Sequence, residues 1–191
     1  MRGLTFIRHA ETDLAGTFCG HSDPPINARG RTQVNDLIVQ LRHKPFDAIY
    51  SSDLRRAVDT ATPLAQTFAV PYITTPNLRE IYFGNWEAMT WTGIEKKYTD
   101  YAPRWTESFP NLPAPDGEPF ATFKQRILCE IDHLLSLAAN ERLAVVTHGG
   151  VMRIVLQTFL GYTEQQAWER TKPYCSFFVY AGADASEEVN R

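Results

Sequence analysis

The sequence contains little cysteine and no long hydrophobic segment, and each of these absences excludes a class of protein. Its three cysteines, Cys19, Cys129 and Cys175, are widely spaced and form no Cys-x-x-Cys pair, so neither a disulfide framework nor a thiolate zinc site is predicted. No apolar run approaches the length of a membrane span, and the first apolar strand begins so close to Met1 that no signal peptide is predicted. We expect a cytoplasmic protein with reduced thiols and no membrane partner.

An excess of positive charge is also missing. The 191 residues include 19 Lys and Arg against 22 Asp and Glu, a formal net charge of −3, which argues against non-specific binding to nucleic acid because that binding needs a basic surface. The composition is 43% hydrophobic and 21% charged, as in globular proteins, and no repeat, linker or low-complexity tract divides the chain. These features predict one domain over residues 1–191, in which any anion site is local.

Two common phosphate-binding motifs are absent as well. No cysteine has an arginine six residues further on, which excludes the Cys-x5-Arg phosphatase loop, and no Gly-x4-Gly-Lys segment is present to hold a nucleoside triphosphate. The pair His21 and Asp23 is too small a pattern to predict a metal site. Phosphate chemistry would therefore need other residues, and neither a metal nor a cofactor is expected.

Two histidines do stand at matching positions. His9 comes at the end of the first apolar run, His148 comes at the end of a second one, and small residues follow both. Two imidazoles at the exits of two predicted buried strands indicate one prepared site. Arg8 precedes the first histidine, so the expected ligand is an anion.

Hydrophobic periodicity predicts strands that alternate with helices. Strands are predicted at residues 4–7, 46–50, 70–74, 143–147 and 176–180. Helices are predicted after Asn27 as N-cap, after Ser51 or Ser52 as N-cap, at 120–135 and at 151–160. Pro63 is expected to kink or shorten the second helix. The alternation favours an α/β fold, a three-layer sandwich in which helices cover both faces of a mostly parallel sheet.

Residues at about 77–118 interrupt this pattern. The segment contains four prolines and a cluster of aromatic residues, and its hydrophobic positions follow no regular period. We interpret it as an irregular lid or inserted segment of the single domain.

Ligands of open parallel sheets bind beyond the carboxyl ends of the strands, where His9, Ser51 and His148 are predicted to lie. Arg8 offers a planar fork that matches phosphate oxygens. Its neighbour His9 can be a nucleophile if a hydrogen bond to one ring nitrogen leaves the other unprotonated. The alternative is a surface Arg-His pair without a role.

Three further candidates each have an alternative interpretation. Arg56 lies in the first turn of the second helix, where the helix dipole disfavours a cation unless an anion is near; otherwise it is a solvated charge. Glu80, in an aromatic setting, is either a general acid or one half of a salt bridge with Arg79 or another arginine. His148, followed by Gly149, is either a buried structural residue or a cation that stabilises a phosphoryl group.

The motifs that contain these residues together resemble those of the histidine phosphatase superfamily, also called the phosphoglycerate mutase-like proteins. Arg8-His9, the segment 52–60, Glu80 in Leu-x-Glu and His148 in Thr-His-Gly occur in the family's order. The resemblance implies that His9 becomes phosphorylated, that Arg8, Arg56 and His148 bind the phosphate, and that Glu80 donates a proton. It also implies a metal-independent, cofactor-free phosphatase, because arginines and a histidine supply the positive charge. The predicted substrate- and phosphate-binding residues are Arg8, Thr12, Cys19, Gly20, His21, Arg56, Glu80, His148 and Gly149.

Secondary motifs resemble the alpha-ribazole phosphatases within this superfamily, at residues 20–25, 83–87 and 116–120. This resemblance implies hydrolysis of a small phosphate monoester, with alpha-ribazole 5'-phosphate of cobalamin biosynthesis as the candidate substrate. The alternatives are a phosphoglycerate mutase, a sugar-bisphosphate phosphatase and an inactive module that binds phosphorylated ligands. A monomer or a homodimer is expected.

Three positions depart from the family's pattern. Ala10 replaces the glycine that usually follows the nucleophile, which introduces strain if the position needs a positive φ. The segment 13–16 lacks an asparagine that is common in relatives, so Thr12 or a main-chain N–H is expected to supply that phosphate contact. Pro119 stands where relatives often have serine. Substrate specificity is where these changes are expected to act.

Overall fold

The computed structural model describes residues 3–181, so both ends of the predicted domain, residues 1–2 and 182–191, lie outside the described part. A five-stranded sheet runs through it in the order β3-β2-β4-β1-β5. The strands are β1 (Gly3–Arg8), β2 (Ala48–Ser52), β3 (Tyr72–Thr75), β4 (Arg142–Thr147) and β5 (Phe177–Tyr180). All neighbouring pairs are parallel except β1 with β5.

Seven α-helices accompany these strands in the described residues. They are α1 (Ala28–Leu41), α2 (Arg55–Phe68), α3 (Trp91–Lys97), α4 (Tyr101–Ser108), α5 (Phe120–Ala138), α6 (Gly149–Leu160) and α7 (Glu164–Thr171). Asn27 caps α1 as predicted, because its side-chain oxygen accepts a hydrogen bond from the Gly30 N–H at 2.8 Å. None of the helices within residues 3–181 is both long and apolar enough to cross a membrane.

The core consists of two apolar layers, one on each face of the sheet. Buried residues of α1 and α2, such as Leu37 and Leu64, pack with Ile7 and Val146 on one face. On the other face, α5 and α6 pack against a second set of strand residues that includes Phe6. Alternate residues of β1 and β4 therefore pack into opposite layers, which explains why the central residues of both strands are mostly apolar. The predicted α/β sandwich is confirmed.

The second strand and helix lie later in the chain than predicted. Ser51 and Ser52 belong to β2, where they are buried and paired with Thr74 and Thr75 of β3. The prediction that either serine caps α2 was wrong, since Leu54 is the N-cap and provides no side-chain hydrogen bond. Pro63 does not shorten α2 either, because burial of the helix's alanine and leucine face on the sheet offsets the lost hydrogen bond.

Residues 77–118 contain more regular structure than predicted. The helices α3 and α4 are only 7 and 8 residues long, too short to give a clear period in the sequence. They surround the fully buried Trp86 in an apolar cluster separate from the two layers on the sheet. That this segment acts as a lid stays a prediction.

Candidate active site

The two histidines meet at the carboxyl edge of the sheet. His9 follows β1, and His148 follows β4 as the N-cap of α6. Because Arg8 is in register with Thr147, the parallel pairing places both imidazoles side by side, with ring centroids 5.1 Å apart. The pairing of these two strands therefore brings the two predicted site histidines together.

The His9 ring is held in one tautomer. Its Nδ1 lies 2.7 Å from the carbonyl oxygen of Ala10, and because a carbonyl can only accept, Nδ1 carries the proton. Its Nε2 is the acceptor for the Arg56 Nε–H at 3.3 Å. Burial, and then the charges of Arg56 and Arg8, lower the His9 pKa well below its usual 6.5. At neutral pH the Nε2 atom therefore has a lone pair, as a nucleophile requires.

Arg56 is completely buried in the first turn of α2. Its guanidinium donates hydrogen bonds to the main-chain carbonyls of Ser22 and Gly20, both at 2.7 Å, and of Cys19 at 3.2 Å. The interpretation of Arg56 as a solvated charge is therefore excluded. Three carbonyls of one loop fix the cation against His9.

Glu87 holds the same loop from the opposite side. Its carboxylate accepts hydrogen bonds from the main-chain N–H groups of Gly20, His21, Ser22 and Phe83 at 2.8–3.1 Å. The Ser22 hydroxyl adds another at 2.6 Å. Burial raises the pKa of Glu87, but these hydrogen bonds outweigh it and the net pKa is lowered. The sequence analysis did not identify Glu87 as a site residue, although it belongs to the motif at 83–87.

Arg8 is held by the segment that precedes β5. Its Nη1 donates to the carbonyl of Thr171 at 3.0 Å and also to that of Lys172, and its guanidinium lies 4.2 Å from the ring centroid of Tyr174. Its Nε is buried without a partner among the described residues. Burial, above all other causes, lowers the Arg8 pKa. The contact with Tyr174 was not predicted, because no motif near Tyr174 marks it.

Glu80 lies across the start of α6. Its Oε2 accepts the Gly150 N–H at 2.8 Å, and its Oε1 accepts the Ile81 N–H at 2.9 Å. The alternative of a salt bridge with Arg79 is wrong, because Arg79 forms a bidentate pair with Asp53 at 2.6 and 2.7 Å. The Glu80 carboxylate is therefore not held by its arginine neighbour and lies at the wall of the cavity.

His148 is buried behind His9. Its Nε2 lies 2.9 Å from the Ser52 hydroxyl, while its Nδ1 has no partner among the described residues. Burial, then the charges of Arg56, His9 and Arg8, lower the His148 pKa well below 6.5. A bound phosphate dianion would act in the opposite direction, because a nearby anion favours the imidazolium.

A cavity of about 1120 Å³ opens at this edge of the sheet. Six of the predicted site residues line it: Arg8, His9, Thr12, Cys19, Glu80 and Gly149. Arg56 and His148 are buried and reach the cavity through their contacts with His9. Residues 77–118 supply many of the aromatic side chains that line the cavity.

The remaining predicted residues lie in the loop next to Arg56. His21 is directed at the Glu80 main chain, with Nε2 3.1 Å from the carbonyl oxygen. Gly20 has no space for a side chain, because a Cβ there would overlap the Ile81 carbonyl oxygen and the Glu87 carboxylate. Burial raises the pKa of the Cys19 thiol, so the thiol form is favoured. Thr12 accepts a hydrogen bond from the Leu14 N–H at 3.3 Å, which stabilises the turn that follows.

Ala10 does not require the conformation of a glycine. It is not among the residues with positive φ, it is fully buried, and its N–H donates to the Thr60 hydroxyl at 2.9 Å. The change from glycine therefore introduces no left-handed backbone strain. Thr60 contacts the site through this hydrogen bond. The only sequence signal for Thr60 was its place in the motif at 52–60.

The carboxylates and imidazoles of the described residues are not arranged as a metal site. Between residues 3 and 181, no three His, Cys, Asp or Glu side chains are grouped closely enough to hold an ion. Asp23, part of the His-x-Asp pair, accepts a hydrogen bond from the Arg55 N–H at 2.5 Å instead.

A mostly parallel sheet with two histidines and two arginines at its carboxyl edge defines a phosphoglycerate mutase-like enzyme. The chain matches the histidine phosphatase superfamily (branch 1) over residues 4–191, and it belongs to this family. It is a phosphoric monoester hydrolase of that superfamily.

Characterised relatives and solved structures agree with this assignment. The chain is 30% identical over 167 residues to the adenosylcobalamin/alpha-ribazole phosphatase of Salmonella typhimurium, which covers 86% of this chain and 83% of the relative. It is 29% identical to phosphoserine phosphatase 1 of Hydrogenobacter thermophilus, over 86% of this chain and 79% of that protein. The alpha-ribazole phosphatase structure from Shigella flexneri superposes with a TM-score of 0.82 at 26% identity, covering 92% of this chain and 88% of that one.

Proposed function

We propose that the protein hydrolyses small phosphate monoesters through a phosphohistidine at His9, without a metal. The observation that carries this proposal is the tautomer of His9, whose proton is on Nδ1 and whose Nε2 lone pair is directed at Arg56. A phosphate oxygen is a better acceptor for the Arg56 N–H than an imidazole nitrogen. When substrate binds, the Arg56 N–H would therefore donate to a phosphate oxygen, which leaves the His9 Nε2 lone pair free to attack.

In the first step, the His9 Nε2 lone pair forms a bond to phosphorus, and the ester P–O bond breaks. Glu80, protonated, donates its proton to the departing alkoxide, so the alcohol leaves neutral. Arg8, Arg56 and His148 stabilise the charge on the three transferring oxygens. Of the neighbours of His9, Arg56 has this positive charge in the free protein and His148 would gain it when phosphate binds.

In the second step, water attacks the phosphohistidine. Glu80, now a carboxylate, accepts a proton from this water as the N–P bond breaks. Inorganic phosphate leaves, His9 regains its lone pair, and Glu80 is protonated again for the next cycle. Because the Glu80 oxygens accept main-chain N–H groups at 2.8 and 2.9 Å, the carboxyl group stays in place for both transfers.

The proposed substrate is alpha-ribazole 5'-phosphate. Relatives with this name support it, and so does the cavity, which at about 1120 Å³ is large enough for a nucleoside-sized ester. Phe18, Phe83, Trp91 and Trp105 line its wall and offer ring faces or edges to an aromatic base. We also propose a cytoplasmic location and a monomeric or homodimeric state.

A phosphate-release panel tests the proposal. It compares alpha-ribazole 5'-phosphate, 3-phosphoglycerate, fructose 2,6-bisphosphate and p-nitrophenyl phosphate. We expect the first to be hydrolysed best, with activity that chelators leave unchanged. Loss of activity with EDTA and recovery with a divalent metal would contradict the mechanism, and isomerisation of 3-phosphoglycerate without phosphate release would indicate a mutase.

Two variants and one control variant test the roles of His9 and Glu80. His9→Ala is expected to abolish phosphate release, while His133→Ala, at an exposed histidine of α5, is expected to keep it. Glu80→Gln should slow the hydrolysis of alkyl phosphate esters far more than that of p-nitrophenyl phosphate, because nitrophenolate leaves without needing a proton. If His9→Ala retains wild-type activity, the nucleophile is misassigned; if the wild type hydrolyses nothing, the protein is a phospho-ligand-binding module.

A further inference from the structure

A third arginine, Arg153, lies beside Arg8 at the cavity and has no hydrogen bond or ion pair with the residues that the structure describes. It is one helical turn after Gly149 in α6, and its side chain extends back along the helix into the cavity. A Cβ built on Gly149 would lie 3.2 Å from Nη1 of Arg153 and 3.8 Å from Nε of Arg8. Two guanidinium groups therefore lie close to the same glycine.

The charge of Arg153 is not paired directly within residues 3–181. No described carboxylate lies within 4.0 Å of its guanidinium and no hydrogen bond holds it, in contrast to Arg8 and Arg56. Its nearest aromatic contact is the Trp168 ring, with the centroid 4.9 Å from Cζ. Glu80 and Glu164 raise the Arg153 pKa only through longer-range attraction, while burial lowers it more. A desolvated cation beside a second cation is stabilised by a bound anion.

Arg153 has contacts different from those of the groups around the nucleophile. His9 contacts Arg56 and His148, and His148 contacts Ser52, whereas the Arg153 guanidinium contacts the ring of Trp168 in α7. Arg153 and Trp168 both line the cavity, while Arg56 and His148 are buried beneath its lining. A substrate with its phosphate at His9 would therefore extend its alcohol portion along the part of the cavity that Arg153 lines.

We propose that Arg153 is a specificity-determining residue that binds a carboxylate on the alcohol portion of the substrate. Its planar fork matches a carboxylate in geometry and charge. The inference rests on the proposed phosphatase function and extends its substrate range to monoesters with a carboxylate close to the ester oxygen. Alpha-ribazole 5'-phosphate has no such group and would use the aromatic wall instead.

A matched pair of substrates tests the inference. O-phosphoserine and O-phosphoethanolamine differ only by the carboxylate, so the ratio of their kcat/KM values isolates its contribution. In the wild type we expect O-phosphoserine to be preferred by about tenfold or more, as one charged hydrogen-bonded pair supplies. In Arg153→Gln the ratio should fall close to one through a higher KM for O-phosphoserine, with O-phosphoethanolamine unchanged. Arg153→Lys should restore part of the preference, and Arg104→Gln, at an exposed arginine of α4, should not change it.

Equal loss for both esters in Arg153→Gln would overturn the inference, since Arg153 would then serve the phosphoryl group or the fold. An unchanged ratio would overturn it too. Calorimetric binding of both esters to His9→Ala, with and without Arg153→Gln, gives the same comparison without turnover, and equal dissociation constants would refute a carboxylate contact. Failure of the phosphatase proposal would give a different result, namely phosphate release that persists in His9→Ala.

Discussion

Replacing Gly20 by alanine should inactivate the enzyme from a position outside the cavity wall. The new Cβ would overlap the Ile81 carbonyl oxygen and the Glu87 carboxylate and would lie 3.0 Å from the Phe83 ring. Two of these three atoms belong to main chain or to a carboxylate with several hydrogen bonds, so the loop at Gly20 must move. The Gly20 carbonyl accepts from Arg56 at 2.7 Å, and Arg56 contacts His9, so the movement reaches the nucleophile.

The expected magnitude follows from that displacement. A shift on the order of 1 Å in a positioned catalytic group can lower kcat about 100-fold, and overpacking costs about 1–3 kcal/mol of folding stability. Steady-state kinetics with p-nitrophenyl phosphate and thermal unfolding measure the two effects separately. Gly93→Ala is the matched control, because a Cβ there has only ordinary or slightly tight contacts, at 3.3 and 3.8 Å. A Gly20→Ala enzyme with wild-type kcat would refute the role of this loop in fixing Arg56.

Further predictions concern the buried histidines and Ala10. His9 and His148 have pKa values well below 6.5 in the folded protein. Below about pH 6.5 the unfolded chain therefore binds more protons than the folded protein, and the free energy of unfolding should decrease as pH falls. Unfolding midpoints at about pH 7.5 and 5.5 check this, and the difference should be smaller in His148→Gln. Inorganic phosphate should reduce this loss of stability at acidic pH, because a bound anion stabilises the imidazolium. Ser52→Ala removes the hydroxyl 2.9 Å from His148 Nε2 and should lower kcat about tenfold with little change in fold, as circular dichroism would show. Ala10→Gly should keep wild-type kcat and lower the free energy of unfolding by about 1 kcal/mol in urea unfolding. The reason is that it removes a buried methyl group and gives the unfolded chain more conformational freedom. A higher kcat would mean that glycine is required at this position.

The sequence predicted the arrangement of layers and several of the residues that line the cavity. Its signals were local: apolar runs, the Asn27 cap and small residues after each histidine, all of which depend on neighbours within a few positions. The errors were local as well. Ser51 and Ser52 resemble helix caps, but pairing with β3 keeps them in the strand, and the helices α3 and α4 are too short for a period to be visible.

By itself, the sequence determined that two histidines and their neighbours lie at the ends of buried strands, because strand periodicity is encoded in adjacent residues. Only the tertiary structure decided which atoms each of these groups contacts. The His9 lone pair is defined by an arginine 47 positions away, and Arg8 is held by carbonyls 163 and 164 positions away. Glu87 and Arg153 take their importance from main-chain atoms and charges that folding brings to them. Hydrogen bonds to distant main-chain groups leave no pattern in the order of side chains. The contacts that hold the site together could therefore be seen only in the folded structure.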